Sequence, residues 1–394
     1  MKKILIIYNK IPRLFSGGDL RVFNTVKQLS LTAKVTLLVC PQNKKDRPEP
    51  ELIKLCQLII VPYFARDFGG TNKILNIGKR IFYLAQRHLP GSEPRLVRQH
   101  NYQVKALKII LKRLVKKEKF DFIQVEHSFL GPVLKKITAE AKKIIVFHNL
   151  YSSTAKNQKE KKRWAKYENR ISSLYNLAVG CSQKDTADLK KLGYRHCRLV
   201  PNGVDTAYFQ PLADSGQPKK ILFVGDMTYS PNRRGVVFFL KKIYPLLTKM
   251  KFEIIGEYRD KKLIKSAQLN PDVTFRGFQK DIRPFFPGSI FICPLLEGGG
   301  TRIKILTAMA MGIPVVSTSK GAEGIAYNDG ENIIIADQPD AFAGAINNLS
   351  ADGVFYQKIS AAGRQLVEAQ YRWQNIFHDY LSAMAKSVQP ENNV

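Results

Sequence analysis

The residues best suited to do chemistry lie between Glu297 and Thr318. Gly298, Gly299 and Gly300 run into Thr301, Arg302 and Lys304, and an Ala/Met/Leu-rich helical segment follows before Gly312-Ile313-Pro314 leads into the strand-like Val315-Val316-Ser317-Thr318. Each residue type has a physical use there. Glycines, lacking Cβ, let the backbone come close to a ligand. The first turn of a helix leaves N–H groups unpaired and carries the positive end of the dipole, so an anion binds there readily. Arg302 adds a planar fork and Lys304 a point charge. The combination suits a phosphate or diphosphate. A flexible turn with two solvated cations is the alternative; the anion reading is favoured because the run follows an apolar strand, opens a helix and is flanked by cations.

Of six histidines, two end predicted strands: His127 after the run Phe122 to Glu126, and His148 after Ile144 to Phe147. Strand ends carry the ligand in a doubly wound sheet. Each imidazole is placed either to hydrogen-bond a ligand or to cap a strand. Loop acids are usually solvated and the two-residue period of a strand turns Glu126 away from the side of His127, so neither Asp19 nor Glu126 is given a catalytic role. No His, Cys and carboxylate spacing points to a bound metal.

The elements that must position these groups are legible. Short Ile/Val-rich runs alternate with helical patterns over most of the 394 residues, which predicts βαβ units and parallel sheets. The first set runs from Lys3-Ile4-Leu5-Ile6-Ile7-Tyr8 to Leu177-Ala178-Val179-Gly180. A second set restarts at Lys220-Ile221-Leu222-Phe223-Val224 and runs to Ile333-Ile334-Ile335. Pro211, Gly216 and Pro218 punctuate an aperiodic stretch between them, placing a boundary near Gln217. The expected fold class is α/β with two domains, 1–217 and 218–394. The closing helices after residue 341 are assignable to either.

Hydrophobic residues at 44% and charged residues at 24% exclude disordered and fibrous classes. The excess of 63 lysines and arginines over 32 acids leaves +31, a field that attracts nucleic acid, anionic membrane or phosphorylated substrate. Two basic stripes border apolar ones: Lys73, Arg80 and Arg87 beside Ile74, Ile77, Ile81 and Leu84, and Lys105, Lys108, Lys112 and Lys116 beside Leu107, Ile110, Leu111 and Leu114. Such helices are either solvated outer faces or membrane-surface elements. Five scattered cysteines without a CxxC pair read as reduced thiols, fitting a cytoplasm. The apolar run Ile4 to Tyr8 is too short for a signal-peptide core, and no stretch approaches a membrane span, so membrane contact is expected to be peripheral.

The segment from Gly298 to Ile325 resembles the donor-binding segment of group 1 glycosyltransferases (glycosyltransferase family 4), which have the GT-B fold. Val200-Pro201-Asn202-Gly203-Val204, the run Phe223 to Val236, Val273 to Phe286 and Tyr371 to Phe377 agree in the same order, and the loop Ser16 to Ser30 agrees more loosely. The resemblance implies two doubly wound Rossmann-like domains facing a central cleft. A nucleotide sugar would be held mainly by the C-terminal domain and the acceptor by the N-terminal one, with no metal or cofactor. Carried onto this chain, Arg302 and Lys304 hold the diphosphate with Gly299, Gly300 and Thr301. Gly17 and Gly18 approach the same phosphates, and His127 lies beside the transferred sugar. His148 at the next strand end is a further catalytic candidate, and Arg233, Phe278 and Glu297 are donor-contact candidates, Glu297 standing two residues before the acidic partner that many members carry. Two positions depart from the pattern. Thr307 stands where the family usually has a ribose-binding glutamate, and Asp226 where many members have an arginine, so that Arg302, Lys304 and Arg233 must supply the missing charge.

The implied activity is retaining transfer from a nucleoside-diphosphate sugar. The basic N-terminal half suggests a glycan or lipid-linked glycan acceptor at the inner face of an anionic cytoplasmic membrane, as in polysaccharide or lipopolysaccharide assembly. No specific nucleic-acid partner is implied. A nucleotide-sugar epimerase of the same fold and a non-catalytic polyanion-binding protein are the alternatives.

Overall fold

Near-continuous apolar runs, unlike alternating ones, belong to strands covered on both faces. They form β1 (Lys2–Tyr8), β2 (Ala33–Val39), β3 (Gln57–Ile60), β4 (Phe122–Glu126), β5 (Lys142–Phe147), β6 (Leu177–Gly180) and β7 (Cys197–Leu199) in one sheet. The other sheet holds β8 (Lys220–Val224), β9 (Lys251–Ile255), β10 (Val273–Gly277), β11 (Ser289–Cys293), β12 (Val315–Ser317) and β13 (Ile334–Ile335). The computed structural model describes residues 1–13, 17–41, 46–61, 93–155, 157–212, 218–248, 250–258 and 270–386.

All pairings are parallel, in the orders β3-β2-β1-β4-β5-β6-β7 and β10-β9-β8-β11-β12-β13. The order reverses at β1/β4 in the first sheet and at β8/β11 in the second. At such a switch point the loops leaving adjacent strands diverge to opposite faces and leave a crevice beyond the carboxyl ends. The first crevice is bordered by the helix opened by Gly17 and Gly18 and by His127; the second by Gly225-Asp226 and the loop Pro294 to Thr301. Both α/β sheets are therefore as the sequence predicts. The short edge strands β3 and β7 are missed by it, because three or four half-exposed residues carry little apolar signal.

The chain divides into two compact units, Met1–Val200 with Phe377–Val394, and Pro201–Ile376. The boundary near Gln217 is thus corrected to Val200/Pro201. The reason is that residues 201–212 pack on the second unit. Val204 N–H donates to Tyr371 O (2.8 Å), Arg364 donates to Phe209 O (2.9 Å), and Gly203 lies so close to Trp373 that a Cβ would stand 2.8 Å from its ring. The helix Trp373–Lys386 begins in the second unit and continues in the first, where Tyr380 Oη donates to Gln124 Oε1 at 2.7 Å.

The basic helix Arg95–Lys117 resolves one of its two readings. Leu107 and Leu111 are fully buried in the first unit's core, with Ile110 and Leu114 packed against it, while Lys105, Lys112 and Lys116 are exposed and Lys108 half-buried. Its apolar stripe is core, not a lipid-facing surface. The stripe of Lys73, Arg80 and Arg87 lies outside the described residues.

Candidate active site

In the C-terminal unit the chain leaves β11 at Cys293, loops through Pro294 to Thr301 and enters the helix Ile303–Ala310. Gly298 and Gly300 have φ of 106° and 76°, a region closed to most side chains, so the loop's path needs glycine at both. Thr301 is buried, and its carbonyl accepts from Asn202 Nδ2 at 3.2 Å. Arg302, 8% exposed, stands at the N-cap. Its guanidinium folds back onto the loop, Nη1 donating to Gly299 O at 2.7 Å and Nη2 to Glu297 O at 3.5 Å, while Nε is buried without a partner among the described residues.

Lys304 lies one turn in. Its Nζ donates to Asn232 Oδ1 at 2.8 Å and sits 4.2 Å from the centre of the Phe223 ring. Burial pulls its ammonium down from 10.5 to about 8, with Arg302 adding to the shift and Cys293 and Asp226 opposing it. Among the described residues no carboxylate forms an ion pair with Arg302 or Lys304. Two desolvated cations at a helix mouth with no paired carboxylate are an unfavourable arrangement unless an anionic ligand completes it. The near acids are engaged elsewhere. Glu297 pairs with Arg234 at 2.8 Å and accepts from Ser230 Oγ at 3.4 Å, and Asp226 Oδ1 takes the Thr228 N–H and hydroxyl at 2.7 and 2.6 Å.

In the N-terminal unit, β4 ends at the fully buried Glu126 and the chain turns sharply at His127, whose φ of 76° is strained for a non-glycine residue. The His127 ring lies between Tyr8 and Phe129, with centroids at 5.7 and 4.9 Å, and touches His148 at 4.1 Å. Its Nδ1 is buried and makes no hydrogen bond to the described residues. Burial holds both imidazoles well below the usual histidine range; Arg21 and Lys10 add to the effect at His148, and His148 and Lys10 at His127. Both rings are therefore neutral at pH 7. His148 Nε2 is 2.6 Å from Glu126 Oε2. Tyr8 Oη donates to Asp19 at 2.6 Å, and Lys10 pairs with the same carboxylate at 2.9 Å.

The structure thus groups Gly298 to Lys304 with Asn232, and Gly18 with His127 and His148: a Cβ on Gly18 would stand 3.3 Å from His148 Nδ1. Gly17 opens the helix Gly17–Leu29 beside it. Arg233 is half-buried on the helix Ser230–Phe238, and its side chain makes no hydrogen bond to the described residues. Phe278 is exposed just beyond β10. Thr307, 5% exposed, makes no side-chain hydrogen bond to the described residues. Sequence reasoning missed Asn232 and Glu126. The segment Tyr229 to Arg234 gave no hint that Asn232 lies under Lys304. Glu126, which the strand period turns away from the side of His127, was given no role, and that reading is corrected: β5 pairs beside β4, and His148 beyond its end meets the Glu126 carboxyl at 2.6 Å. Among the described residues no three His, Cys, Asp or Glu side chains are grouped to hold a metal.

Two all-parallel Rossmann-like units in one chain, each with its loops at a switch point, make up the GT-B fold. The chain belongs to the glycosyltransferases of group 1 and family 4: residues 34–208 match the model described as Glycosyltransferase Family 4, and residues 218–352 the one described as Glycosyl transferases group 1. It is similar to an uncharacterized 44.6 kDa protein in the cps region of Klebsiella pneumoniae, 25% identical over 96% of this chain and 98% of that one. It also resembles the lipopolysaccharide core biosynthesis glycosyltransferase LpsE of Rhizobium meliloti, 32% identical over 33% of this chain and 39% of that protein. In fold it resembles Anabaena HepE, solved in complex with UDP and glucose, with a TM-score of 0.69 and 14% identity over 98% of this chain and all of that one.

Proposed function

We propose that this glycosyltransferase moves a sugar, with retention of configuration, from a nucleoside-diphosphate sugar bound to the C-terminal unit onto a hydroxyl of a glycan or lipid-linked glycan bound to the N-terminal unit. The observation that carries the reading is the pair Arg302 and Lys304, both desolvated at the mouth of a helix and, among the described residues, both without a carboxylate ion-pair partner. Charge grows on the β-phosphate as the glycosyl bond breaks, and fixed cations with a helix N-terminus stabilise that charge more than the ground state. The acceptor hydroxyl releases its proton as this charge develops, onto the departing phosphate. The neutral His127 lies beside the sugar and hydrogen-bonds one of its hydroxyls. Thr307, with its hydroxyl unspent, contacts the ribose; Arg233 and Phe278 complete the nucleotide-sugar site, and neither a metal ion nor a cofactor takes part.

The likeness to HepE, whose structure holds UDP and glucose, supports the kind of donor. The Klebsiella and Rhizobium relatives, named for a cps region and for lipopolysaccharide core biosynthesis, support polysaccharide or lipopolysaccharide assembly. Burial, and after it Lys112, Lys135 and Lys136, act to lower Lys108, so four cations gather on one face of the N-terminal unit, which suits the inner surface of an anionic cytoplasmic membrane. Among the described residues no helix is long and apolar enough to cross a membrane.

Incubating the protein with UDP-, GDP- and dTDP-sugars tests the reading. Release of nucleoside diphosphate that depends on added glycan acceptor, with the product anomer matching the donor, is expected. Interconversion of the donor sugar without acceptor would instead make the protein an epimerase.

A further inference from the structure

Glu126 has no place in the donor chemistry, yet it is fully buried and held from both sides. Its Oε2 is 2.6 Å from His148 Nε2, and its Oε1 accepts from Gln124 Nε2 at 2.5 Å. Gln124 is in turn oriented by Tyr380, whose phenol donates to Gln124 Oε1 at 2.7 Å from the helix Trp373–Lys386. Since the Gln124 amide already donates to Oε1, the proton of the carboxyl–imidazole pair lies between Oε2 and Nε2. Which atom holds it decides what the far side of the ring presents, because a neutral imidazole has one donor nitrogen and one acceptor.

The surroundings choose. Burial raises the Glu126 carboxyl, while Arg21, the Gln124 hydrogen bond and His127 draw it back; Arg21 and Lys10 both act against a charge on His148. Tyr8 stacks 6.3 Å from the His148 ring, and Cys181 and Tyr380 are neutral at pH 7, held up by burial. A carboxylate balanced by Arg21, with a neutral ring donating to it, places one charge where its counter-charge already stands. Protonating the carboxyl instead would remove the negative charge that Arg21 favours there. His148 Nδ1 then carries the lone pair. That nitrogen faces Gly18, where a Cβ would stand 3.3 Å away, so glycine at the helix mouth leaves this edge of the ring uncovered.

We infer that Glu126 is a positioning residue: it fixes His148 as the Nε2–H tautomer and so presents His148 Nδ1, beside Gly18, as a hydrogen-bond acceptor for a substrate hydroxyl. The inference rests on the transferase reading for the identity of that hydroxyl, but not for the tautomer. Tyr380 and Gln124 extend the support to the C-terminal helix, so that residues 377–386 serve the site at a distance. Replacing Glu126 by Gln turns the logic over. With Gln124 still donating to the carbonyl oxygen, the new amide directs its NH2 group at His148 Nε2, which must become the acceptor; the proton moves to Nδ1, and the site loses its lone pair.

Histidine-selective 15N NMR of the full chain reads this directly, with the His148 signals assigned from the spectrum of His148→Asn. The wild type is expected to show a protonated Nε2 and an unprotonated Nδ1 at pH 7, a result that needs no variant to fold. Glu126→Gln is expected to exchange the two nitrogen signatures. It should also lower acceptor-dependent kcat by 10- to 100-fold while leaving the Kd for nucleoside diphosphate unchanged, whereas Glu126→Asp keeps the wild-type tautomer. A wild-type His148 carrying its proton on Nδ1, or doubly protonated at pH 7, would overturn the inference. An unchanged tautomer in Glu126→Gln would do the same. Absence of turnover with every nucleotide sugar would count against the transferase reading alone, since the tautomer is measured without substrate.

Discussion

Replacing Lys304 by Met should make the ligand-free protein more stable and the nucleotide-bound protein weaker. Burial draws the ammonium from 10.5 to about 8, and at about 1.4 kcal/mol per unit that is a penalty of about 3 kcal/mol for holding the charge inside. Met keeps the chain length without the charge. Part of the gain is lost again, because Asn232 Oδ1 gives up its hydrogen-bond donor, at about 1 to 2 kcal/mol. A net gain of about 1 to 2 kcal/mol raises Tm by roughly 2 to 8 °C for a unit of this size.

The sign follows from linkage. The folded protein releases this proton near pH 8 and the unfolded chain near 10.5, so wild-type stability rises with pH between those values. The advantage of Lys304→Met is therefore full at pH 7 and gone by about pH 10.5. Nucleotide binding moves the other way: losing one charge-assisted contact to phosphate costs about 1.5 to 3 kcal/mol, roughly 10- to 150-fold in Kd. Thermal melts of both proteins, with and without UDP and GDP, check both halves. A variant that melts lower than wild type without ligand, yet keeps the full nucleotide-induced shift, would refute the reasoning.

Gly298→Ala forces a side chain into φ of 106° and sets its Cβ 2.9 Å from Arg302 Nη2; a loss of about 1 to 2 kcal/mol of stability and a smaller UDP- or GDP-induced melting shift are expected, and wild-type nucleotide binding would count against it. Thr307→Val should weaken nucleotide-sugar binding by about 0.5 to 1.5 kcal/mol, the net worth of one neutral hydrogen bond, and Thr307→Glu should strengthen it or change the preferred nucleotide; equal affinities by calorimetry would place the ribose elsewhere. Reversing the exposed Lys105, Lys112 and Lys116 to Glu should abolish salt-sensitive sedimentation with phosphatidylserine vesicles, each cation near the surface being worth about 1 kcal/mol. Unchanged sedimentation would return these lysines to a merely solvated face.

Periodic, strongly apolar elements were the legible part of the fold, because a strand such as β1 is buried along nearly its whole length and reads as an unbroken run. The glycine loop was legible for a different reason: the positive φ of residues 298 and 300 favours glycine, so the backbone requirement is written in the residue type. Asn232 and Glu126 carried no such mark. Both act through partners far away in sequence, Lys304 and His148, and only the parallel order of the sheets and the helix after β8 bring them together. The boundary was misplaced because the aperiodic stretch before Lys220 looks like a linker, whereas its first residues are packed against Trp373, Tyr371 and Arg364. The strain at His127 was hidden for the same reason, since no residue-level pattern distinguishes a histidine at φ 76° from one ending an ordinary strand.

The most direct test of the central claim is a calorimetric titration of UDP, GDP, dTDP and ADP, each beside its parent nucleoside, into the wild type and into the Arg302→Ala/Lys304→Ala double variant. The account predicts that at least one diphosphate binds the wild type, that its nucleoside binds far more weakly, and that the double variant loses most of the difference. Equal binding of a diphosphate by the two proteins, or no binding of any diphosphate to the wild type, would contradict it.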